Sequence, residues 1–192
     1  IAQGHNSAFI DKQGRAFVVY HTRFSNGGEG HQVRVHQLFL NDEGWLMAAP
    51  FEFDGETITD EAIASKASIA DADIAGDYQF MRHQYGQNTA AKAFETPVNI
   101  TLNADGTITG AENGTWKRTA GTDYIHLTIN NVVYRGVLVK QTIDYTNIPA
   151  IAISALSSSS GSLTMGQNNF TYQQEVWAVK ADAKAAIKYT IK

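Results

Sequence analysis

Short runs of β-forming residues, separated by tight polar turns, fill residues 1–53 and constrain the fold more than any other feature of the chain. The runs are rich in β-branched and aromatic residues, and the turns end in glycine, which readily takes the positive φ that such turns require. The runs are Ser7–Ile10, Arg15–Arg23, Gln32–Leu40 and Trp45–Phe53, and the turns are Asp11–Gly14 and Asn41–Gly44. This pattern predicts a four-stranded antiparallel meander the size of one propeller blade, which needs neighbours because it cannot bury both faces alone.

The alternating direction of these strands brings a histidine and a loop to one end of the predicted sheet. If the first strand runs away from His5, the turn at Asp11–Gly14 lies at the far end. The second strand then returns, so the polar, glycine-rich loop Ser25–Gly30 lies at the same end as His5. We therefore expect the functional end of the sheet to be the one that carries His5.

A change of composition after residue 53 indicates a boundary. The stretch Glu61–Asp73 is alanine-rich and acidic and contains no aromatic residue, which predicts a linker with a short helical turn. The predicted organisation is a first unit at 1–53, a linker at 54–75 and a second unit at 76–192.

The second unit is predicted to be a small closed or nearly closed β-barrel of roughly eight strands, because each predicted strand has one apolar face. Asn130-Asn131 is predicted to be a hairpin turn, since asparagine tolerates a left-handed backbone. Ser157–Ser160 is predicted to be a loop tip. The predicted strands include Asp77–Tyr85, Val98–Leu102, Tyr124–Ile129, Val132–Lys140, Ile151–Leu156, Leu163–Met165 and Tyr172–Lys180.

Composition excludes several classes of function. The chain has 192 residues, 43% of them hydrophobic and 18% charged, which is typical of a soluble globular protein. Its net charge is -4 with no basic patch, which argues against nucleic acid as a partner. It has no cysteine, hence no thiolate metal site, and no apolar run approaches the roughly 18 residues that span a membrane. Because the chain starts at Ile1, in what reads as mid-sheet, we expect a processed subunit, a fragment or the ordered part of a longer protein.

Few side chains in residues 1–53 suggest chemistry. His5 can act as a metal ligand at the end of an inner strand, or pack as a core histidine bonded to backbone. Phe24 and Trp45 can stack on the C–H face of a sugar, although core packing is expected for Trp45, as for Trp116 and Trp177. Arg34 can clamp a substrate or form an ion pair within the sheet.

Glycoside hydrolysis requires a pair of carboxyl groups, one acting as acid and one as base or nucleophile. The candidates all lie in turns or stand alone, so no convincing pair is present in residues 1–53. They are Asp11, Glu29, Asp42, Glu43 and Glu52.

Several segments resemble the last blade of glycoside hydrolase family 43, and most closely the extracellular endo-α-1,5-arabinanases that carry an extra C-terminal β-domain. The resemblance covers residues 1–53 well and is less specific beyond them. The matching segments are Gly4-His5-Asn6-Ser7-Ala8, Tyr20-His21-Thr22-Arg23-Phe24, Arg34–Phe39 and Gly44-Trp45.

The resemblance implies an all-β protein that consists of the last blade of a five-bladed β-propeller followed by a small lipocalin-like barrel or sandwich. It also implies an inverting hydrolase of arabinan polysaccharide or oligosaccharide, extracellular or periplasmic. The catalytic carboxylates would lie N-terminal to Ile1, so the partner of this chain is the N-terminal propeller portion and the chain alone is inactive. His5 would help to hold calcium, with water as the other ligands. From their residue types rather than from the resemblance, Phe24 and Arg34 are the predicted substrate contacts.

Two readings from other classes remain open at this point. One is a non-catalytic carbohydrate-binding or scaffolding module in which the barrel is the working part. The other is a lipocalin-like binder of a small ligand.

Overall fold

A computed structural model describes the chain at residues 2–23, 30–55, 66–83, 96–165 and 168–181. The described residues form two β-structures, a four-stranded sheet and a closed barrel of eight strands. The predicted all-β class is therefore confirmed, including the closure of the barrel. Within the described residues, no helix is long and apolar enough to cross a membrane.

The four-stranded sheet is the predicted antiparallel meander, in the order β1-β2-β3-β4. Its turns form for the local reason that the sequence indicates, since Gly14 and Gly44 have φ of 82° and 81°. In each turn an Asp11 or Asn41 side chain accepts hydrogen bonds from backbone N–H groups two and four residues ahead. The strands are β1 at Ala2–Ile10, β2 at Ala16–Arg23, β3 at His31–Leu40 and β4 at Leu46–Ala48.

The fourth strand is much shorter than the predicted run Trp45–Phe53. Pro50 has no N–H to donate to a ladder, so regular pairing ends at Ala48. The chain still follows β3, because Phe53 N donates to Val35 O at 2.8 Å. The expectation that Trp45 packs in a core is wrong, since this residue is 53% exposed.

The barrel follows a four-residue helix, α1, and each of its strands pairs with its neighbours in antiparallel fashion. Two short strands, β7 and β8, were not predicted individually. The elements are α1 at Asp71–Ile74, β5 at Gly76–Arg82, β6 at Val98–Leu102, β7 at Thr107–Gly110, β8 at Gly114–Arg118, β9 at Tyr124–Ile129, β10 at Val132–Thr142, β11 at Pro149–Met165 and β12 at Asn168–Ala181. The predicted hairpin turn is confirmed, with φ of 50° at Asn130 and 63° at Asn131.

The prediction of a loop tip at Ser157–Ser160 is wrong. These residues lie inside β11, which runs unbroken to Met165 and pairs with β12 on both sides of them. The pairing register shifts between Leu156 and Ser160, which is where a bulge interrupts the ladder. Serine has little preference for strands, so the strand forms there because β10 pairs with Ser157 and β12 pairs with the residues on either side of the bulge.

One end of the barrel is closed by the segment that precedes β5. Ile69 and Ile74 are 2% and 0% exposed and belong to the barrel core. The segment is fixed by the buried carboxylate of Asp123, which accepts from Ser68 N at 2.8 Å, from Ser68 Oγ at 2.5 Å and from Arg118 Nη2 at 2.6 Å. The part of the predicted linker seen here is thus integral to the barrel, and its short helical turn is α1.

The sheet packs against the outside of the barrel. Phe39, Met47 and Ala49 of the sheet form one buried cluster with Val137, Val139 and Ala152 of the barrel. As a result β10 is buried on both faces, one toward the barrel interior and one toward the sheet. This contact holds the N-terminal sheet in a fixed position beside β10 and β11.

Candidate functional site

His5 lies at a bulge in β1, which sets the direction of its side chain. Gly4 pairs with His21 and Ser7 with Val19, so two residues of β1 face a single residue of β2. At this bulge His5 has φ of 49°, a left-handed conformation that histidine adopts more often than most residues. Its side chain is exposed.

Three histidines form a row across this end of the sheet. The ring centres of His5 and His21 are 5.1 Å apart, and those of His21 and His31 are 4.8 Å apart. The register explains the row, because Gly4, next to His5, pairs with His21, and His31 pairs with Arg23, which follows His21 by two residues and so lies on the same face. Among the described residues, no group of three or more His, Cys, Asp or Glu side chains has an arrangement that could hold a metal ion. Exposed His5 fits the narrower role of a single nitrogen ligand whose metal takes its other ligands from water.

The two predicted substrate contacts have different positions. Phe24 lies outside the described residues. Arg34 faces the barrel: its guanidinium forms an ion pair with Glu52 and donates to the hydroxyl of Tyr145, and its Nη2 donates to Gln32 Oε1 at 2.7 Å. The Arg34 side chain is 14% exposed, so most of it is engaged by protein.

The loop between β10 and β11 completes this group of contacts, which we call the junction cluster: Arg34, Glu52, Asp144 and Tyr145. Glu52 N donates to Asp144 Oδ1 at 2.8 Å. Burial raises the pKa of the Asp144 carboxyl, interactions with His36 and Arg34 oppose that rise, and Asp54 adds to it. Sequence reasoning missed Asp144 and Tyr145, because neither belongs to a motif and both meet the sheet only through the fold.

His36 is held as a structural side chain. Its Nδ1 lies 2.8 Å from Ala49 O and must donate, because a carbonyl oxygen only accepts. Its Nε2 lies within hydrogen-bond distance of the Tyr20 hydroxyl, at 3.0 Å. With both nitrogens engaged and 8% of the residue exposed, His36 serves to fix β3 against the segment after β4.

The remaining carboxylates of the sheet have structural partners. Asp11 binds Arg15, with Oδ2 2.7 Å from Nε. Asp42 Oδ2 lies 2.6 Å from His126 Nε2 and 3.2 Å from Arg135 Nη1, and Glu43 Oε1 lies 2.8 Å from Arg135 Nε. The β3–β4 turn is therefore clamped to the outside of the barrel. Glu29 lies outside the described residues, and the other four carboxylates form no catalytic pair.

The barrel interior is filled by a cluster of buried side chains, including Tyr78, Phe80, Ile100, Leu127 and Leu138. This packing gives little support to a small-ligand binder of the lipocalin kind. The end opposite Ile69 and Ile74 is polar. There Arg82 forms an ion pair with Glu112, Asn130 Nδ2 donates to Glu112 Oε2 at 3.0 Å, and the Tyr134 hydroxyl donates to Gln174 Oε1 at 3.0 Å.

The Arg82–Glu112 pair predicts a pH-dependent contribution to stability. Hydrogen bonding to Arg82 lowers the pKa of Glu112 below its ordinary value of 4.5. A lowered folded-state pKa gives stability that is present above the unfolded pKa and is lost as the pH falls through the folded one. We expect Glu112→Gln to lower the free energy of unfolding by about 1 kcal/mol at pH 7, because it removes a charge-assisted bond. Urea titrations at several pH values should show the difference shrinking below pH 4.5; a difference that stays constant with pH would contradict this.

Comparison with known proteins identifies relatives for most of the chain. Residues 50–166 match the C-terminal lipocalin-like domain of glycoside hydrolase family 43. The chain is 44% identical to an extracellular endo-α-(1→5)-L-arabinanase of Thermotoga petrophila over 73% of its own length and 28% of that protein. It is 38% identical to extracellular endo-α-(1→5)-L-arabinanase 2 of Bacillus subtilis over 83% of its own length and 32% of that protein.

A solved structure agrees in fold as well as in sequence. The crystal structure of endo-1,5-α-L-arabinanase from Thermotoga petrophila superposes with a TM-score of 0.73 at 38% identity, covering 95% of this chain and 36% of that one. The chain thus spans about three tenths of the length of the two curated relatives.

Proposed function

The chain belongs to the family of the C-terminal lipocalin-like domain of glycoside hydrolase family 43, and from that membership we propose that it is the C-terminal part of an extracellular enzyme that cleaves α-1,5-linked L-arabinan. The observation that carries this proposal is the 44% identity to an extracellular arabinanase over 73% of the chain. In this proposal the four-stranded sheet is the last blade of a β-propeller and the barrel is an accessory domain behind it. The division into a first unit at 1–53, a linker from residue 54 and a barrel unit belongs to the same proposal, with Ile69 and Ile74 counted as part of the barrel.

The surface of the sheet supports its role as a blade. Several of its large apolar side chains remain exposed to an extent that an isolated sheet would not favour, which is typical of a surface that packs against further protein. They are Phe9 at 48%, Ile10 at 72%, Val33 at 70%, Leu40 at 37%, Trp45 at 53% and Leu46 at 60%. The proposed partner is the preceding part of the same enzyme, which would carry the other blades.

In this proposal the catalytic carboxylates and the calcium ligand belong to different parts of the enzyme. The acid and base carboxylates that an inverting glycosidase requires are assigned to residues before Ile1, since the sheet carboxylates described above are occupied structurally. His5 is proposed to supply one nitrogen ligand to calcium at the end of the sheet. When bound, the ion would bias the ionisation of nearby carboxyl groups through its charge. Phe24 and Arg34 are proposed to border the substrate.

The proposal is tested with the complete enzyme on a panel of polysaccharides. We expect reducing ends to be released from linear α-1,5-arabinan and not from xylan or galactan. Binding of arabinan without hydrolysis would contradict the proposal and would favour the carbohydrate-binding or scaffolding module instead. Hydrolysis of another polysaccharide in place of arabinan would contradict the substrate assignment.

A further inference from the structure

Tyr145 has an unusual combination of backbone conformation and exposure. It is the third residue of a turn in which Thr146 N donates to Ile143 O at 3.0 Å. Its φ is 60°, whereas Asp144 has no positive φ, which is the pattern of a type II turn. That position normally holds glycine or asparagine, because it requires a positive φ that most other residues disfavour. An aromatic residue stands there instead, and it is 68% exposed.

The ring is held rigidly although it is exposed. The Tyr145 hydroxyl accepts from Arg34, whose Cζ lies 5.8 Å from the ring centre, so the guanidinium lies at the hydroxyl end of the ring. Arg34 is fixed in turn by Glu52 and Gln32. The turn itself is tied to the sheet through Asp144 and Glu52. Tyr145 is thus an exposed aromatic residue in a disfavoured backbone conformation, which the surrounding structure enforces. This combination points to a role in binding another molecule.

The position of the ring relates it to the proposed substrate. Arg34 is three residues from His31 along β3, about 10 Å at the rise of a strand. Arg34 also pairs with Tyr20, which faces the bulge that holds His5. Tyr145, bonded to Arg34, therefore lies level with His5 along the strands, on the face of the sheet opposite to that of His21. A rigid aromatic ring with a guanidinium and the exposed Gln32 amide beside it matches the C–H face and hydroxyl groups of a sugar.

We propose that Tyr145 is a saccharide-stacking residue through which the barrel contacts the arabinan chain beyond the catalytic cleft. Arg34 is a positioning residue that holds the ring. This inference rests on the proposed function for the identity of its ligand. In this role the barrel helps to bind a long arabinan chain and makes no contribution to the cleavage of a short oligosaccharide.

The test compares three variants of the complete enzyme. Tyr145→Phe keeps the ring and removes the hydroxyl, Tyr145→Ala removes the ring, and Tyr145→Asn removes the ring with a residue that tolerates the backbone conformation. We expect Tyr145→Ala and Tyr145→Asn to raise the KM for linear arabinan about tenfold with kcat unchanged, and to leave kcat/KM for a short arabino-oligosaccharide unchanged. Tyr145→Phe should raise the KM by about two- to threefold, less than the variants without the ring, because it keeps the stacking surface but loses the hydrogen bond from Arg34 that positions the ring.

Urea unfolding midpoints separate stacking from a structural role. The midpoint of Tyr145→Asn should equal or exceed that of wild type. If Tyr145→Phe loses as much binding as Tyr145→Ala, or if all three variants lose stability and none loses binding, Tyr145 is a structural contact and the inference is overturned.

Failure of the proposed function can be recognised separately. If the wild-type enzyme does not hydrolyse arabinan, the proteins are run in gels containing arabinan, galactan or xylan. Retardation of wild type and Tyr145→Phe, but not of Tyr145→Ala, by one of these polymers would support the stacking role with a different ligand. Retardation of wild type by none of them would overturn it.

Discussion

Replacement of Asp123 by alanine is expected to lower the free energy of unfolding of the barrel by about 3–5 kcal/mol. Asp123 is 1% exposed, and its carboxylate joins Arg118 to Ser68. The Arg118 side chain is itself 7% exposed, so the variant leaves a buried cation without its closest counter-charge. The segment that carries Ile69 and Ile74 into the barrel end loses its anchor at the same time. Urea unfolding followed by circular dichroism measures the effect.

Asp71→Ala is the matched control, because Asp71 binds the same arginine. Its Oδ1 lies 2.7 Å from Arg118 Nη1, yet its side chain is 91% exposed. Exposed ion pairs contribute little, so we expect this variant to change stability by less than about 0.5 kcal/mol. Equal losses in the two variants, or no loss in Asp123→Ala, would contradict the role assigned to the buried carboxylate.

Replacement of His5 in the complete enzyme is expected to lower turnover of linear arabinan about 100-fold and to reduce bound calcium, because the proposed ligand is removed. His5 has φ of 49°, so alanine adds backbone strain to the loss of the imidazole. His5→Gly removes the imidazole without that strain and should lose the same activity. Since the side chain is exposed, we expect the unfolding midpoint of His5→Gly to stay close to that of wild type. Unchanged turnover and unchanged calcium content in both variants would remove the ligand assignment.

The parts of the fold that depend on local chemistry could be predicted from the sequence. Gly14, Gly44 and the Asn130-Asn131 pair take positive φ, as their residue types indicate, and these turns fix where the strands around them begin. That His5 lies toward the end of the sheet where β2 ends follows from strand direction alone, and the pairing of Gly4 with His21 agrees with it. The predicted loop Ser25–Gly30, apart from Gly30, lies outside the described residues.

The parts of the fold that depend on residues far away in the chain could not be predicted from the sequence. The outer face of β10 is buried because the sheet covers Val137 and Val139, and the sequence shows there only a longer apolar run. The serines of β11 are in a strand because Ser157 pairs with Tyr134 of β10 and pairing with β12 resumes at Ser160. Tyr145 has no local signal at all, since its turn would be expected to carry glycine and its partner Arg34 is 111 residues away.

The central claim is that this chain is the non-catalytic part of an arabinan-cleaving enzyme. The most direct test measures reducing ends released from linear α-1,5-arabinan by the purified 192-residue chain, by the part of the enzyme that precedes it, and by the complete enzyme. We predict no turnover by the chain alone and clear turnover by the complete enzyme. Measurable turnover by the chain alone would contradict the account, since a catalytic pair would then have to lie within its own residues.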